Sequence, residues 1–479
     1  MATLVRKYRK YKSEDSGQTW IATDEYKYEE LGVDACGCNT YTEYTDDTSN
    51  SEYLLDIDKS NSRIRKIIIG TCASGITSIS NTSIGKLKVP SNIVSINNIR
   101  NNNSLSSLTL SSGVTTINHI SYNPLLTSLV IPDSVTTIGD SGLAYNTGLT
   151  SLTIGKNVTA LGSYLCSNDK SLEYVNIQGA QTINGSAFDV CSALTTVVFG
   201  NFVQDTGDSV FSGKTKLTSV TFSPSITRIG ISCFSRCSGL TELDIPINGV
   251  IKQEAFARCT SLSSVTIGSG VTSIEKNCFS GDTNLTDVTI LGGVVNEYAF
   301  SGVSSISSLT IGENVTEIHG PFSGNSFTTL HIPNALVEGA FEGCYSLTSV
   351  TLDYSATAGD SAFYNCINLA SATVNGGDIG EFAFGAGNTY STLTALTLGN
   401  AVTSLGGYFI QNQYGLESLT IPTSVNHIYS HAFYHSTLDD IYYNGTLAQW
   451  NAIEKDNDWD TGATTGCFLH CTDGDRQLW

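Results

Sequence analysis

Charged side chains are scarce in this chain, and positively charged ones are the scarcest. Of 479 residues, 24 are Lys or Arg and 44 are Asp or Glu, so charged residues make up 14% and the formal net charge at pH 7 is −20. A nucleic-acid-binding protein must neutralise phosphates with basic groups. Basic residues cluster only between Arg6 and Lys12, and acidic residues follow at once. The composition therefore argues against a nucleic-acid partner.

Long apolar runs are also lacking. None approaches the 18 or so residues of a membrane-spanning helix, and the first residues, MATLVRKYRKYKSEDSG, have no apolar core of a secretory leader. The motifs G-x-S-x-G and H-E-x-x-H, the Walker phosphate loop and the dinucleotide-binding glycine pattern do not occur. We therefore expect no enzyme, no cofactor and no membrane insertion, and any exit from the cell would use another route.

One repeated unit is abundant. Residues Ala255–Ile267, AFARCTSLSSVTI, read A-F-x-x-C-x-x-L-x-x-V-x-I, and variants return every 20–24 residues. This period predicts an all-β-rich leucine-rich-repeat solenoid of about 18 turns with a parallel β-sheet. The first apolar residue of each L-x-x-L-x-L core is Ile64, Ile84, Leu105, Leu126, Leu149, Leu172, Leu194, Leu217, Leu240, Leu262, Leu285, Ile306, Phe327, Leu347, Leu369, Leu393, Leu416 and Leu438.

Two further positions of the unit predict its core. The A-F pair recurs with one Phe per turn, which predicts an internal column of aromatic rings. Cysteines fill fixed positions of the repeat, so they are predicted to be free, buried thiols rather than a disulfide framework. The Phe residues are Phe188, Phe211, Phe234, Phe256, Phe279, Phe300, Phe341, Phe363 and Phe433. Cys191, Cys237, Cys259, Cys344 and Cys366 follow the A-F pair, and Cys233 and Cys278 replace its Ala.

The segment before the repeats differs in period and composition. Residues 1–33 alternate apolar and polar residues on both sides of Ser13–Trp20, SEDSGQTW, and predict a β-hairpin. Those eight residues resemble the Asp-box of sialidase-type propellers, which in that family is a structural turn. We expect the hairpin to attach the chain to a partner through Tyr8, Tyr11 and Trp20. Residues 34–62 read as an acidic polar linker, whose Cys36 and Cys38 are too few ligands for a zinc site.

The repeats at 63–443 and the tail at 444–479 carry a family resemblance. The pattern L-x-x-L-x-I-P-x-S-V-T-x-I-x-x-x-A-F-x-x-C, over about residues 61–475, resembles the BspA-like class of leucine-rich repeats found on bacterial surface proteins. The tail, with Trp450 and Trp459, resembles the closing segment of such proteins and is predicted to cap the solenoid. The resemblance implies a surface protein that binds other molecules.

Strand alternation predicts which residues face outward. Most are Ser or Thr, and the pattern breaks at Tyr174 and Asn176, at Glu242 and Asp244, and at Asp287. These five are our candidate ligand-binding residues. Glu242 and Asp244 face the same way, as the two carboxylates of a glycosidase do, which leaves a glycan hydrolase as one alternative. His427, His431 and His435 recur at four-residue steps, but they fall in a repeat turn rather than a helix, so a metal site is not predicted.

The sequence thus favours a non-enzymatic extracellular rod that binds a cell-surface glycan or protein. Because a virion needs no secretion leader, we expect a phage tail or capsid accessory protein whose N-terminal segment joins virion structural proteins. The alternative within the same class is a bacterial BspA-like surface adhesin. The predicted location is therefore extracellular, on a virion or on a bacterial cell surface.

Overall fold

The computed structural model describes residues 75–76, 78–82, 84–387, 391–463 and 465–478 in full, and before them the backbone of four strands. Those strands are Val5–Ser13, Trp20–Glu30, Ile57–Asp58 and Arg63–Ile64. The chain divides into two compact units, Met1–Ser225 and Ile226–Trp479, called units 1 and 2 below.

The N-terminal strands pair as a hairpin does. Val5–Ser13 lies antiparallel to Trp20–Glu30, with Val5 opposite Glu30 and Ser13 opposite Trp20. The residues between the two strands, which hold most of the Asp-box-like motif, lie outside the described residues, as do Cys36 and Cys38. The side chains of Tyr8, Tyr11 and Trp20 also lie outside them, so attachment through this segment stays a prediction.

Unit 1 stacks three rows of parallel strands. The first row carries the L-x-L residues of the repeat: Lys86–Lys88, Ser107–Thr109, Ser128–Ile131, Ser151–Ile154, Tyr174–Ala180, Thr196–Val203 and Ser219–Thr221. The second row is formed by Gly75–Ile76, Ser95–Ile96, Thr116–Ile117, Thr137–Ile138, Ala160–Leu161 and Thr182–Ile183. The third row is Ile79–Ser80, Ile99–Arg100 and Ile120–Ser121.

Unit 2 repeats the first two rows. Its first row is Glu242–Ile245, Ser264–Ile267, Asp287–Val295, Ser308–His319, Thr329–Ile332, Ser349–Leu352, Ser371–Ile379, Ala395–Leu405, Ser418–Ile421, Asp440–Tyr443 and Phe468–Cys471. The second row is Arg228–Ile229, Val250–Ile251, Ser273–Ile274, Leu336–Glu338, Thr357–Ala358, His427–Ile428 and Glu454–Lys455, joined by the far ends of four long first-row strands.

The described residues thus form a parallel β-solenoid of about 17 turns, which confirms the predicted fold class. Inward strand residues are buried as the alternation predicts: Leu149, Leu152 and Ile154 are all 0% exposed. Neighbouring turns pair in register, so Ser151 lies between Ser128 and Tyr174. Like side chains therefore stack on like, and one sequence pattern builds every layer.

The aromatic column is confirmed as well. Phe234, Phe256 and Phe279 are fully buried, and their ring centroids stack 5.4 Å apart. Stacking continues through Phe300, Phe322, Phe341, Phe363 and Phe384. Phe322, Phe384 and Phe409 belong to this set of buried rings but are absent from the sequence-based prediction.

The tail extends the unit before closing it. Residues Leu447–Ala452 form a helix with a Thr446–Gln449 capping box. After it, Glu454–Lys455 and Phe468–Cys471 continue both rows in parallel, and Gly474–Gln477 then folds back antiparallel. Trp450 is buried and packs edge-on against Tyr443 and Trp459. Trp459 itself is half-buried. That the tail caps the solenoid stays a prediction.

Each A-F turn contains left-handed backbone that the sequence pattern does not reveal. Glu254 and Arg258, on either side of Ala255–Phe256–Ala257, have φ of 56° and 62°. The same pair of positions is left-handed at Ser232 and Arg236 and again at His431 and His435. His431 and His435 therefore lie in a turn, as predicted, whereas His427 lies in the strand His427–Ile428; none of the three is on a helix.

Candidate functional site

The outward side chains of the first row in unit 2 form a face rich in hydroxyl groups, called the hydroxyl face. Ser264 and Ser308 lie in one row across the sheet, and Thr266, Thr289 and Thr310 lie in the next. The pattern repeats further on, where Ser349 and Thr351 pair with Ser371 and Thr373. The face comprises Ser264, Thr266, Thr289, Ser308, Thr310, Thr329, Ser349, Thr351, Ser371, Thr373, Thr397, Ser418 and Thr420.

Three predicted site residues stand at one end of this face. Glu242, Asp244 and Asp287 are all exposed. Glu242 pairs with Ser264, which pairs in turn with Asp287, so the two acids share a row about 10 Å apart, two strand spacings. Asp287 Oδ2 accepts a hydrogen bond from Thr286 Oγ1 at 2.8 Å. The structure brings these carboxylates onto one open surface, and their role in ligand contact stays a prediction.

The other two predicted residues share a face in unit 1. Tyr174 lies between Ser151 and Thr196, and Asn176 between Thr153 and Val198. Both side chains are half-buried by these neighbours. They interrupt the Ser/Thr pattern as the sequence predicts, with an aromatic ring and an amide side by side. Their part in binding is likewise untested.

A second set of polar residues lies inside the solenoid and was missed by sequence reasoning. The Cys of A-F-x-x-C is one occupant of a fixed place, here called the ladder position, which lies three residues before the repeat leucine, or two residues before Phe327 in the case of Asn325. The described ladder residues include Asn102, Asn123, Asn146, Asp169 and Cys191 in unit 1, and Cys237, Cys259, Asp282, Asn325, Cys344 and Cys366 in unit 2. The spacing N-x-x-L or D-x-x-L would have revealed the polar members.

Side chains at the ladder position hydrogen-bond to the preceding turn. Asn123 Nδ2 donates to the carbonyl of Ile99 at 3.1 Å, while its Oδ1 accepts from Asn102 N at 3.2 Å. Cys259 Sγ donates to the carbonyl of Phe234 at 3.3 Å. Ile99 and Phe234 occupy the same place in their turns, that of the Phe in A-F. Amide and thiol therefore do one structural job.

The two aspartates at this position are buried acids. Desolvation raises the pKa of Asp169 to about 8 and that of Asp282 to about 9, although a backbone N–H donates to Oδ1 of each. The Oδ2 of each has no hydrogen-bond partner. A neutral carboxyl offers an O–H where asparagine and cysteine offer N–H and S–H. Because both are sealed in the core, they are structural rather than chemical groups.

The thiols follow the same logic. All ten cysteines among the described residues are free, and nine are buried. The prediction of buried core thiols is confirmed for the seven cysteines on which it rested. Desolvation raises the pKa of Cys191 to about 12 and that of Cys344 to about 11. Because the thiolate is the reactive form, these cysteines are inert in the folded chain.

Several histidines lie between carboxylates on neighbouring strands. His319 contacts Glu317 and Glu338 at 2.9 and 3.0 Å, and hydrogen bonds to both raise its pKa even though partial burial opposes the shift. His470 lies between Asp440 and Asp475 in the same way. In the part of the chain that the structure describes, no three His, Cys, Asp or Glu residues are grouped as a metal site requires. No described helix is long and apolar enough to span a membrane.

Comparison with known proteins identifies relatives of this architecture. Residues 75–195, 178–286, 238–337, 282–388 and 319–439 match the family described as "BspA type Leucine rich repeat region (6 copies)". Together these matches run from residue 75 to residue 439, well over half of the chain. No curated protein matches it.

Solved structures are similar to the chain at low identity. A leucine-rich cell surface protein from Faecalibacterium prausnitzii A2-165 is 21% identical, with 88% of this chain and 99% of that one covered and a TM-score of 0.32. A leucine-rich repeat protein from Bacteroides ovatus ATCC 8483 is 17% identical, with 87% and 98% covered and a TM-score of 0.33. A third, from Eubacterium ventriosum ATCC 27560, is 16% identical, with 74% and 83% covered and a TM-score of 0.29.

Proposed function

This chain belongs to the BspA-type leucine-rich repeat family, and we propose that it is a non-enzymatic binding protein displayed on a bacterial cell surface. Its ligand would be a glycan or a protein of another cell surface. Membership of the family supports display and binding, since the repeat resembles that of bacterial surface proteins. The observation that carries the proposal is the hydroxyl face of unit 2.

The hydroxyl face has the properties of a recognition surface. All-parallel sheets are normally covered on both faces, yet here one side of the first row is lined with short polar side chains. Ser and Thr have few rotamers, and Thr is stiff at χ1, so ordering them on binding costs little conformational entropy. The strands repeat at about 4.8 Å. Such a surface offers regularly spaced hydroxyls to a polar ligand.

Two earlier hypotheses rank lower. Nothing among the matched relatives supports a phage virion, and the bacterial alternative accounts for the family match directly. For the glycan hydrolase, Glu242 and Asp244 lie exposed on an open sheet face, whereas a glycosidase acid needs a neighbour that raises its pKa. The native chain should therefore leave incubated glycans uncleaved, and cleavage that is lost in Glu242→Gln or Asp244→Asn would restore the hydrolase hypothesis.

The proposal is tested by placing charge on the hydroxyl face. Thr310→Lys combined with Thr420→Lys puts two ammonium groups on this exposed surface without touching the core. Burying an unpaired charge against a ligand is strongly unfavourable. We expect affinity for immobilised surface glycans and proteins to fall at least about tenfold.

The matched control is Thr272→Lys with Thr283→Lys, two exposed threonines off this face. It changes the net charge by the same amount and should bind as the native chain does. Equal losses in both variants would mean that net charge rather than this face governs binding. A native chain that binds no surface glycan or protein would contradict the proposed function itself.

A further inference from the structure

A cleft on the turn side of unit 2 has a composition unlike the rest of this acidic chain. It has a volume of about 210 Å³, and its polar lining is Ser235, Arg236, Glu254, Arg258, Asn277 and Ser280. Ligand sites for drug-sized molecules are about 300–1,000 Å³. The arginine cleft, as we call it, has room for one small group.

Three successive turns build the arginine cleft from their left-handed positions. Arg236, Glu254, Arg258 and Asn277 have φ between 56° and 62°. The turns are hydrogen-bonded to each other, with Arg236 N donating to Ala257 O and Arg258 N to Ser280 O, both at 2.8 Å. The two arginines therefore occupy equivalent places on adjacent turns. This repeat geometry brings two guanidinium groups to one small cleft.

The backbone conformation does not require arginine at these two positions. Left-handed backbone disfavours L residues other than Gly, Asn and Asp. The next four turns carry glycine at the equivalent position, Gly281, Gly302, Gly324 and Gly343, all with positive φ. A Cβ added at Gly281 would lie 3.4 Å from Arg258 Cγ, so glycine there leaves that side of the cleft open. Other turns hold Val190 and His435 at this position, with φ of 59° and 54°, so the backbone accepts a bulky residue there and the case for a binding role rests on the two adjacent guanidinium groups.

Neither guanidinium forms an ion pair with an acid among the described residues. Among the described residues, Arg236 and Arg258 make no ion pair and no side-chain hydrogen bond, and both are exposed. A larger cleft near the C-terminus, of about 430 Å³ and lined by Asp360, Asp378, Glu381 and Asp456, differs in this respect. There Asp378 accepts from the hydroxyls of Thr403 and Ser404, which lower its pKa. The arginine cleft instead has two permanent charges available.

Glu254 restricts what the arginine cleft can hold. Its carboxylate accepts from Gln253 Nε2 at 3.2 Å and from Ser232 Oγ at 3.5 Å. A bare acidic side chain entering beside it would meet a like charge, whereas a hydroxyl would find a hydrogen-bond acceptor. Asn277 and Ser280 add further polar groups. The lining therefore suits a ligand that joins an anionic group to neighbouring hydroxyls.

We propose that the arginine cleft binds an acidic sugar, with Arg236 and Arg258 holding its carboxylate or sulfate and Glu254 accepting from its hydroxyls. Arginine forms forked, charge-assisted hydrogen bonds with such anions. At physiological salt the charge of the remaining chain is screened within about 8 Å. These local groups therefore decide the sign of the electrostatic potential in the cleft. The inference rests on the proposed function, of which it names the ligand chemistry and a second contact surface.

The test compares full-length variants on immobilised glycans. The array holds sialylated, uronic-acid-containing and sulfated glycans, each beside its neutral counterpart, and a Glu-rich peptide. We expect the native chain to prefer acidic glycans, and Arg236→Gln with Arg258→Gln to bind them at least about tenfold more weakly. The control Lys170→Gln with Arg476→Gln removes the same charge at exposed sites elsewhere and should retain the preference. Arg236→Lys with Arg258→Lys should also lose most of it, because lysine lacks the fork.

The outcomes separate this inference from the proposed function. Preference for only the carboxylated or only the sulfated set supports the cleft and identifies its anion. Binding of neutral glycans or of proteins that ignores the Arg→Gln changes would overturn the cleft and leave the proposed function standing. If the native chain bound the Glu-rich peptide as tightly as the acidic glycans, and the Arg→Gln variant lost that binding, the choice of a sugar would be overturned. A native chain that binds nothing on the array would overturn the cleft as well.

Discussion

The early turns of unit 1 and the turns of unit 2 fill the same two internal places differently. In unit 1, Asn102 and Asn123 hold the ladder position, beside aliphatic side chains such as Ile99 and Ile120. In unit 2, Cys259 and its equivalents hold it, beside a stack of Phe rings. The amide makes strong hydrogen bonds next to a small neighbour, whereas the thiol makes a weak one next to a large ring. At these two internal places, side-chain hydrogen bonds contribute more in the early turns of unit 1 and ring burial contributes more in unit 2.

The largest effect should come from the ring stack of unit 2. Phe256→Ala removes a fully buried ring that stacks on both Phe234 and Phe279. Such a truncation costs about 3–5 kcal/mol, and adjacent turns should loosen because repeats support only their neighbours. Urea unfolding followed by circular dichroism measures the loss. An unchanged unfolding curve would contradict the packing described here.

The next effect should come from the amide ladder of unit 1. Asn123→Ala leaves Asn102 N and the carbonyl of Ile99 without their side-chain partner, and each unsatisfied buried group costs about 1–3 kcal/mol. We expect a loss of about 2–4 kcal/mol in the same assay. The exposed Asn157→Ala is the control and should cost less than about 0.5 kcal/mol. If the two variants were equally stable, the ladder would not stabilise unit 1.

A third substitution makes one turn of unit 2 resemble unit 1. Asp282→Asn keeps the acceptor for Cys259 N and supplies an amide donor of the kind that Asn325 directs to Phe322 O. The folded pKa of Asp282, about 9, exceeds its unfolded value of 3.8. Between these values the unfolded chain has lost the proton that the folded chain retains, so stability falls as pH rises. The variant should escape this fall.

Measuring the free energy of unfolding at pH 4 and at pH 8 tests whether stability falls as the pH rises. The native chain and Asp282→Asn should be nearly equal in stability at pH 4, and the difference should widen in favour of the variant as the pH rises to 8. Asp169→Asn in unit 1 should behave alike, because that carboxyl is also buried with its pKa raised. A difference that does not change with pH would show that these carboxyls are not neutral in the folded chain.

The smallest effect should come from the thiol ladder. Cys259→Ala removes one weak S–H donor and a small buried volume, which should cost about 1 kcal/mol. The loss of stability in Cys259→Ala can be compared directly with that in Asn123→Ala, because both variants change the ladder position. Thiol titration of native and denatured protein is the companion measurement. Most cysteines should react only after denaturation, because nearly all those described are buried.

The period and the apolar pattern were enough to predict the strands, the inward leucines and most of the aromatic column. Phe322 and Phe409 were missed where Pro321 and Tyr408 precede them, and Phe384 was missed although Ala383 keeps the A-F pair. The ladder asparagines were missed because only Cys was considered at that place of the repeat. The spacing N-x-x-L marks the position of Asn123 but not its hydrogen-bond partners Asn102 and Ile99, which lie more than 20 residues away.

The surface was harder to predict than the core. Alternation places Glu242, Asp244 and Asp287 on one face, because strand geometry alone decides the side on which a residue lies. The arginine cleft depends instead on left-handed backbone at Arg236 and Arg258, where sequence rules would expect glycine or asparagine. That conformation is imposed by hydrogen bonds between turns, which no local pattern predicts.

The hydrogen bonding of the turn also has a genetic consequence. Glu254 N, Phe256 N and Arg258 N donate to Lys276 O, Cys278 O and Ser280 O of the following turn, and neighbouring turns use the same alternate residues. Unequal crossing-over that adds or removes one repeat would therefore preserve every such bond. The outward residues at the left-handed positions of all later turns would then be displaced by one turn relative to those of the earlier turns. Recombination within the gene can thus rearrange the outward surface, including the proposed arginine cleft, while the core stays intact.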